Sequence, residues 1–456
     1  MIHYDILVIG GGPAAITIAK TINGTQRVGI IRPEEHSMIY CAMPYAIEKV
    51  LPVEKTFKKD SLVTDTGAVL IRDSVTKIDF DKRQVHTKHG GTYGWGKLVL
   101  ATGAVPILPP IPGRDLNRVL TFKTEDDLRS LLALCESGTI SKAVVVGAGA
   151  IGVELAQAFH AVGVETHLVD LAGSILSAMM DRDMVEEAEA ALTQEGIRLH
   201  LASKVVELRG TDSVEQVLLS DGRTIELGET GECALEEGAK GKRGVVVFAV
   251  GMRVDTSLFE GSGLVKGKDG IVVNDRMETN LQNVYALGDC AQFVSGITGQ
   301  VTPGKLATNA VPMAKVFARN QLGESRSYPG FFNGAATRIG SYFVGGTGLT
   351  EKGVPGSMEA VTGHSELTTI FPNMPGAKKV RMKMIAEKGT LRVLGAQFLS
   401  GEPVTDKVDV MTLAIQNRLT VTNLAELSYS AQPYQSFFPA SNLMVAAAEE
   451  ILNKVK

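Results

Sequence analysis

Two stretches of this chain have the residue types and spacing of a phosphate cradle. Gly10-Gly11-Gly12-Pro13-Ala14-Ala15 and Gly147-Ala148-Gly149-Ala150-Ile151-Gly152 both read Gly-x-Gly-x-x-Gly/Ala. In such a loop the first glycine permits a tight turn and the second lets backbone approach a pyrophosphate. The third small residue lets helix pack on strand, and the helix N-terminus adds positive potential. Any strand–turn–helix can carry one such loop. Two, each in a complete βαβ setting, point to two dinucleotide sites. Their ribose ends differ. Asp170 lies 23 residues past Gly147, where a strand ends. A carboxylate there accepts hydrogen bonds from the ribose 2′- and 3′-hydroxyls and repels a 2′-phosphate, which predicts NADH over NADPH. The matching place after the first loop holds Arg32, with Glu34 two residues on, so the expected carboxylate is missing or displaced.

A second kind of chemistry belongs to Cys41, in Ser37-Met38-Ile39-Tyr40-Cys41-Ala42-Met43-Pro44-Tyr45. Pro44 suits a first helical turn, and a thiol at a helix N-terminus has a depressed pKa, so more of it is thiolate, the nucleophilic form. A lone cysteine is more often a small buried hydrophobe. Cys135 sits in an apolar helical stretch, Cys233 in a Gly/Glu-rich loop, and Cys290 follows Gly288-Asp289; these three read as bystanders. Two strand ends complete the inventory. Leu98–Leu100 runs into Ala101-Thr102-Gly103, and Asn283–Leu287 runs into Gly288-Asp289, whose carboxylate can accept from a ribityl hydroxyl.

The elements that position these residues follow from hydrophobic periodicity. Strand Asp5–Ile9, a helix to about Ile22 and strand Val28–Ile31 form one βαβ unit; Ser141–Val146, a helix to about Ala161 and Thr166–Val169 form another. The proline-rich Pro106–Gly113 reads as a linker, and Val75–Phe80 with Gln84–Thr87 as a hairpin. Past the polar Glu324–Gly330 boundary, Arg381–Ile385 and Arg392–Phe398 alternate like half-buried strands, and Val408–Gln416 and Leu443–Leu452 have helical spacing. The fold class is α/β, with two Rossmann-like dinucleotide-binding domains and a C-terminal α+β domain without a nucleotide loop.

Composition narrows the function classes. The 456 residues carry a formal net charge of −4 with both signs dispersed, which argues against a nucleic-acid or membrane-surface binder. No apolar run has membrane-helix length, and Met1–Gly12 lacks a basic leader and a cleavage site. Four scattered cysteines form neither a disulfide framework nor a metal spacing, so a cytoplasmic protein without a metal site is expected. Glycine supplies 49 residues, part of which the cradles and the strand-end turns at Gly103, Gly251 and Gly288 explain.

Together these motifs resemble the flavoprotein pyridine nucleotide–disulfide oxidoreductases, from about residue 4 to the C-terminus. The resemblance implies that the first loop and Asp289 hold FAD, that the second loop and Asp170 hold NADH, and that Glu154 is similar to a glutamate near the nicotinamide. It implies FAD-binding segments 1–112 and 246–325, an NAD-binding segment 113–245 and a dimerisation segment 330–456 that makes a homodimer. Ser37-x-x-x-Cys41 resembles the single-cysteine branch: coenzyme A-disulfide reductases, NADH oxidases and peroxidases, and persulfide or polysulfide reductases. Position 46 is alanine, not the second cysteine of glutathione- and lipoamide-type enzymes, and no histidine follows His364. Pro13 stands where oxidases and peroxidases carry a histidine. Tyr429-Ser430-Ala431-Gln432-Pro433-Tyr434 is similar to a tyrosine pattern of the disulfide-reducing members, which makes Tyr429 or Tyr434 the expected acid. The implied reaction passes hydride from NADH through FAD to Cys41, which reduces a small sulfur substrate such as coenzyme A disulfide, a persulfide or a polysulfide. The alternatives are an NADH oxidase or peroxidase using O₂ or H₂O₂, and a flavin-bearing redox sensor without turnover.

Overall fold

The computed structural model describes residues 1–228, 243–436 and 439–456; Cys233 lies outside the described residues. The first sheet runs Val69–Ile71, Val28–Ile31, Ile2–Ile9, Thr92–Leu100, Gln84–Thr87, Val75–Asp79, and Val284–Ala286 joins it alongside Thr92–Leu100. Val284–Ala286 pairs in parallel with Leu98–Leu100, so the Gly288-Asp289 turn and the Ala101-Thr102-Gly103 turn leave neighbouring strand ends. The hairpin Val75–Asp79/Gln84–Thr87 forms as an antiparallel pair.

Helix Pro13–Ile22 follows the first strand. Pro13 starts it, and Asn23 in a left-handed conformation (φ 44°) ends it, its N–H bonded to Ala19 O. Ala15, Ile18, Ala19 and Ile22 are buried at helical spacing and pack this helix against Ala307–Gln321.

The second sheet is wholly parallel: Val119–Thr121, Arg243–Phe248, Ile140–Val146, Glu165–Val169, Arg198–His200. Arg243–Phe248 is its second strand throughout, so this sheet extends past the expected break between residues 245 and 246. Helix Glu125–Glu136 is fixed by a capping box in which Asp127 N donates to Thr124 Oγ1 at 3.0 Å and Thr124 N donates to the Asp127 carboxylate at 2.9 Å. The proline-rich segment is more ordered than a bare linker. Val105–Pro106 pairs antiparallel with Met252–Arg253, so the outgoing and returning connections between the two sheets are zipped together.

The third sheet is antiparallel: Ala335–Ile339, Tyr342–Gly348, Val393–Ser400, Lys379–Glu387, Ala360–Thr368. Its central strands are not half-buried as expected. Every residue of Val393–Ser400 is buried, because helices cover one face and the second unit covers polar side chains on the other. Lys383, 3% exposed, pairs with Glu351 at 2.8 Å and Asp183 at 3.0 Å, and Gln397 Nε2 donates to Asp181 at 2.8 Å. The polar alternation that read as a solvent face is an internal polar contact between units. No helix among the described residues is long and apolar enough to cross a membrane.

At the edge of the second sheet His167 and His200 stack on adjacent strands, Nδ1 to Nε2 at 2.9 Å, with Glu165 Oε1 3.1 Å from the far nitrogen of His167. Burial lowers both pKa values, His200 from 6.5 to about 4. The unfolded chain takes up the His200 proton first as pH falls, so this residue costs stability progressively between about pH 6.5 and about 4. His200→Asn should therefore flatten the acid-side fall of the thermal midpoint across that window; an unchanged slope would contradict it.

Candidate active site

Both cradles have the same local construction. Gly10 N donates to Ile31 O at 2.9 Å and Ala101 N to Ile9 O at 2.9 Å; Gly147 N donates to Val169 O at 2.8 Å and Ala249 N to Val146 O at 2.7 Å. Gly10 (φ 110°) and Gly147 (φ 107°) adopt a conformation disfavoured for other residues, and a Cβ on them would strike the carbonyls of Ala101 and Ala249. Gly12 and Gly149 cap the helices Pro13–Ile22 and Ala150–Ala161, with no side-chain cap and no acid in the first turn. A Cβ at either would enter open space. Uncapped N–H groups beneath an open glycine fit a diphosphate. In the third position Ala15 is buried, whereas a Cβ at Gly152 would collide with the Gly147 carbonyl. Ala14 is buried and Ile151 is 36% exposed at the rim.

Asp170 orders the second loop. Its carboxylate accepts from Ala148 N at 2.5 Å and from Ala172 N at 2.6 Å. At the first loop Arg32 is buried, and its side chain occupies the space next to Gly11. Its guanidinium donates to Glu34 O at 2.8 Å, Glu35 O at 2.7 Å and Asp60 Oδ1 at 2.8 Å, and Arg72 also pairs with Asp60. Asp60 thus answers the Arg32 charge at this strand end, and the Glu34 side chain is exposed.

Asp289 reaches a half-enclosed position where Oδ1 is buried without a hydrogen-bond partner. Lys123 Nζ lies 3.8 Å from Oδ2 and 4.0 Å from the centre of the Tyr40 ring. Burial holds the Asp289 carboxyl above the usual carboxylate range, Lys123 below the usual lysine range, and Tyr40 up to about 12. A buried carboxylate oxygen with an open acceptor site fits a ligand hydroxyl. Thr102 and Gly103 line a cavity of about 440 Å³ with Thr76, Val105, Asp255 and Phe259. Gly251 O, at the edge of the zipped connection, accepts from Ile107 N at 3.0 Å.

Cys41 is exposed in a 3₁₀ turn, Tyr40–Ala42, that leads into the short helix Met43–Ile47. Met38, Met43, Ala46 and Ile47 pack into the core of the second unit, so the thiol is carried on a strap lying against that unit. Burial, with Glu154, Glu48 and Cys41 adding, pushes Tyr45 up to about 12. Glu154 accepts from Thr337 Oγ1 of the third sheet at 2.6 Å, and burial raises its pKa. Cys290 is fully buried, its Sγ donating to Leu100 O at 3.1 Å, and burial pushes the half-buried Cys135 up to about 11. Neither Tyr429 nor Tyr434 bonds to a neighbour of Cys41 among the described residues. The Tyr429 hydroxyl donates to Pro439 O at 3.0 Å, and Tyr434 is 66% exposed.

Sequence reasoning missed Lys123, Thr337 and the helix Ala307–Gln321. That helix starts beside Gly288 without a side-chain cap, and its first turn holds Asn309 with a buried, unpartnered Nδ2. Pro312, inside the helix, interrupts the pattern that would have revealed it.

Two cradles with an exposed thiol between their units are the equipment of a redox enzyme served by two nucleotides. Residues 4–314 match the model of the pyridine nucleotide-disulphide oxidoreductase family and residues 336–438 its dimerisation domain. The chain belongs to this family. It is similar to an NADH oxidase of Methanocaldococcus jannaschii, 32% identical with 98% of this chain and 99% of that protein covered. It is also similar to an NAD(P)H sulfur oxidoreductase (CoA-dependent) of Pyrococcus abyssi, 27% identical with 94% and 95% covered. Among solved structures, an NAD-dependent persulfide reductase from A. fulgidus superposes with a TM-score of 0.90 at 25% identity, covering 99% of this chain and 83% of that one. FAD and NADH are the cofactors, and the residues of the two cradles fit them.

The two glycines of the second cradle separate binding from folding. Gly149→Ala should leave the thermal midpoint unchanged while raising the KM for NADH about tenfold or more, because its Cβ enters the diphosphate's space. Gly152→Ala should cost about 1–3 kcal/mol of stability through collision with the Gly147 carbonyl. Thermal unfolding with steady-state NADH titration checks both; equal effects at the two positions would refute the assignment.

Proposed function

We propose that this flavoenzyme uses NADH to reduce disulfide, persulfide or polysulfide sulfur at Cys41. The observation that carries the reading is the exposure of Cys41 on its turn, while Cys290 is sealed in the core and Cys135 is half-buried. Its similarity to the sulfur oxidoreductase of P. abyssi and to the persulfide reductase of A. fulgidus supports it. In this reading Gly10, Gly12, Pro13, Ala14, Ala15, Ala101, Thr102, Gly103, Gly288 and Asp289 hold FAD, with Arg32 and Glu34 at its ribose end. Gly147, Gly149, Ile151, Gly152, Asp170 and Gly251 serve the nicotinamide dinucleotide. Segments 1–112 and 246–325 form the FAD domain, 113–245 the NAD domain with its sheet reaching Phe248, and 330–456 the contact between two subunits. A reducing compartment such as the cytoplasm suits a working thiol.

Bound flavin supplies two-electron transfer between nicotinamide and sulfur. The chain's own part is to present and orient. The Cys41 thiolate attacks one sulfur of the substrate, a Sγ–S bond forms, and the broken S–S bond leaves its electron pair on the departing sulfur. Glu154, held by Thr337 and with its pKa raised by burial, supplies a polar wall beside the nicotinamide site. A second copy of the chain would bring Tyr434, exposed and with no hydroxyl partner among the described residues, to protonate the departing sulfur; the Tyr429 hydroxyl is already committed to Pro439.

A second reading, NADH oxidase, is favoured by the M. jannaschii relative, which matches nearly the whole chain. Cys41→Ser separates the two. Disulfide and polysulfide reduction should fall to background while NADH still bleaches the flavin anaerobically; native polysulfide turnover in the mutant would overturn the main reading. A flavin that NADH does not bleach within the mixing time would instead indicate a sensor. Asp170→Asn should lower the preference for NADH over NADPH by about tenfold, about 1.4 kcal/mol, measured as a ratio of kcat/KM values; an unchanged ratio would remove Asp170 from the ribose site.

A further inference from the structure

Helix Ala150–Ala161 carries more than the second cradle at its start. Ala150 and Ile151 are exposed at the cradle rim, and Glu154 and Gln157 follow on the same side at helical spacing. The third sheet lies against this stripe. Gln157 Nε2 donates to Arg338 O at 3.0 Å, and its Oε1 accepts from Gly340 N at 2.6 Å, which grips the turn after strand Ala335–Ile339. One helical turn nearer the cradle, Thr337 Oγ1 donates to Glu154 Oε1 at 2.6 Å. Thr337 is 8% exposed, and Glu154 Oε2 has no hydrogen-bond partner among the described residues. Ile339 and Val344 of the same hairpin are buried in the core of the second unit, so packing seats the strand that delivers this hydroxyl. The short helix Met43–Ile47, which follows Cys41, packs against helix Ala150–Ala161 as well. Glu154 therefore stands on the helix that meets both the thiol's segment and the third sheet, with one oxygen tied and the other free.

We propose that Thr337 is a positioning residue for the nicotinamide end of the second site: its hydroxyl holds Glu154 as an aimed carboxylate. The unit that pairs two subunits thereby completes a site within its own chain. This rests on Glu154 lying beside the nicotinamide. A carboxylate there steadies the positive charge that the ring carries in NAD⁺, the form left once hydride is gone. Burial opposes that role by favouring the protonated acid, and the Thr337 hydrogen bond works against burial. The titratable groups at this junction are Tyr45, pushed up to about 12, with Glu48 and Cys41 beyond it, and Arg338. Arg338 Nε is taken by Gly340 O at 2.9 Å. Removing the Thr337 hydroxyl leaves burial unopposed, so Glu154 takes up its proton at a higher pH. Thr337 acts through Glu154 and exchanges no proton itself.

The test reads binding as well as turnover. Oxidised holoenzyme is titrated calorimetrically across a pH series with NAD⁺ and with ADP-ribose, which lacks the nicotinamide. In the native protein NAD⁺ affinity should fall on the acid side relative to ADP-ribose, a readout that needs no variant to fold. Thr337→Val should move that fall upward by about one pH unit, and Thr337→Ser should return it to its native place. ADP-ribose affinity should follow neither substitution. Anaerobic stopped-flow bleaching of the flavin by NADH should show the same displacement of its acid limb. A native NAD⁺ profile in Thr337→Val, or one pH dependence shared by both ligands in the native protein, would overturn the positioning role. An equal displacement in Gln157→Ala would overturn it too, because that variant loosens the docked turn and keeps the Thr337 hydroxyl. A native NAD⁺ profile in Glu154→Gln would remove Glu154 from the nicotinamide and this inference with it, leaving the Cys41 reading in place.

Discussion

At Gly10 and at Gly147 the chain runs so close to the end of a neighbouring strand that a single added carbon would meet a carbonyl oxygen, that of Ala101 in one unit and Ala249 in the other. The close approach lets the first strand, the returning strand and the helix N-terminus meet at one point. The ladder is then extended by the same pair of bonds in both units, from the glycine N–H to the second strand and from the returning alanine N–H to the first. With the backbone fixed there, the helix N-terminus behind Gly12 or Gly149 is held open and uncapped, which is the condition for binding a diphosphate. Substitution at the pivot would move the helix, and the strand-end groups Asp170 and Asp289 would lose their register with it.

The two units built on these pivots are joined by more than the chain connections. The outgoing and returning segments pair at Val105–Pro106 and Met252–Arg253, which limits how the sheets can turn relative to each other. The Cys41 strap adds a second tie, since it follows strand Val28–Ile31 of the first unit and buries Met38, Met43, Ala46 and Ile47 in the core of the second. A thiol mounted on a loop of one unit alone would follow that unit's motion. Mounted across both, it keeps its place relative to both cradles.

The cradles were legible because their demands are local: glycine where φ is positive, a small residue where helix meets strand, an acid at a strand end. Cys41 was legible for a similar reason, as a thiol beside a proline-started turn. What stayed hidden depended on contacts far apart in sequence. Asp60 answers Arg32 across 28 residues and Lys123 reaches Asp289 from another unit, and neither has a local signature. The helix Ala307–Gln321 was masked by Pro312, tolerated because the residue lies early, in the second turn of an otherwise well-packed helix. The strand Val393–Ser400 misled through its own composition, since Gln397 reads as a solvent-facing residue until Asp181 covers it.

That internal polar contact gives the third sheet a part in the site beyond joining two subunits. Burying Lys383 beside Asp181, Asp183 and Glu351 leaves its charge answered by three carboxylates, which outweigh burial and hold its pKa above the ordinary value. Such a cluster is no better than apolar packing for bulk stability, but it tolerates few alternative alignments. Alignment is what Thr337 requires. Its hydroxyl must arrive at Glu154 on the helix of the second cradle, while Gln157, one turn further along, binds the backbone at Arg338 and Gly340. The buried charges thus fix the register in which the third unit meets the second, and that register sets the direction in which the Glu154 carboxylate is held.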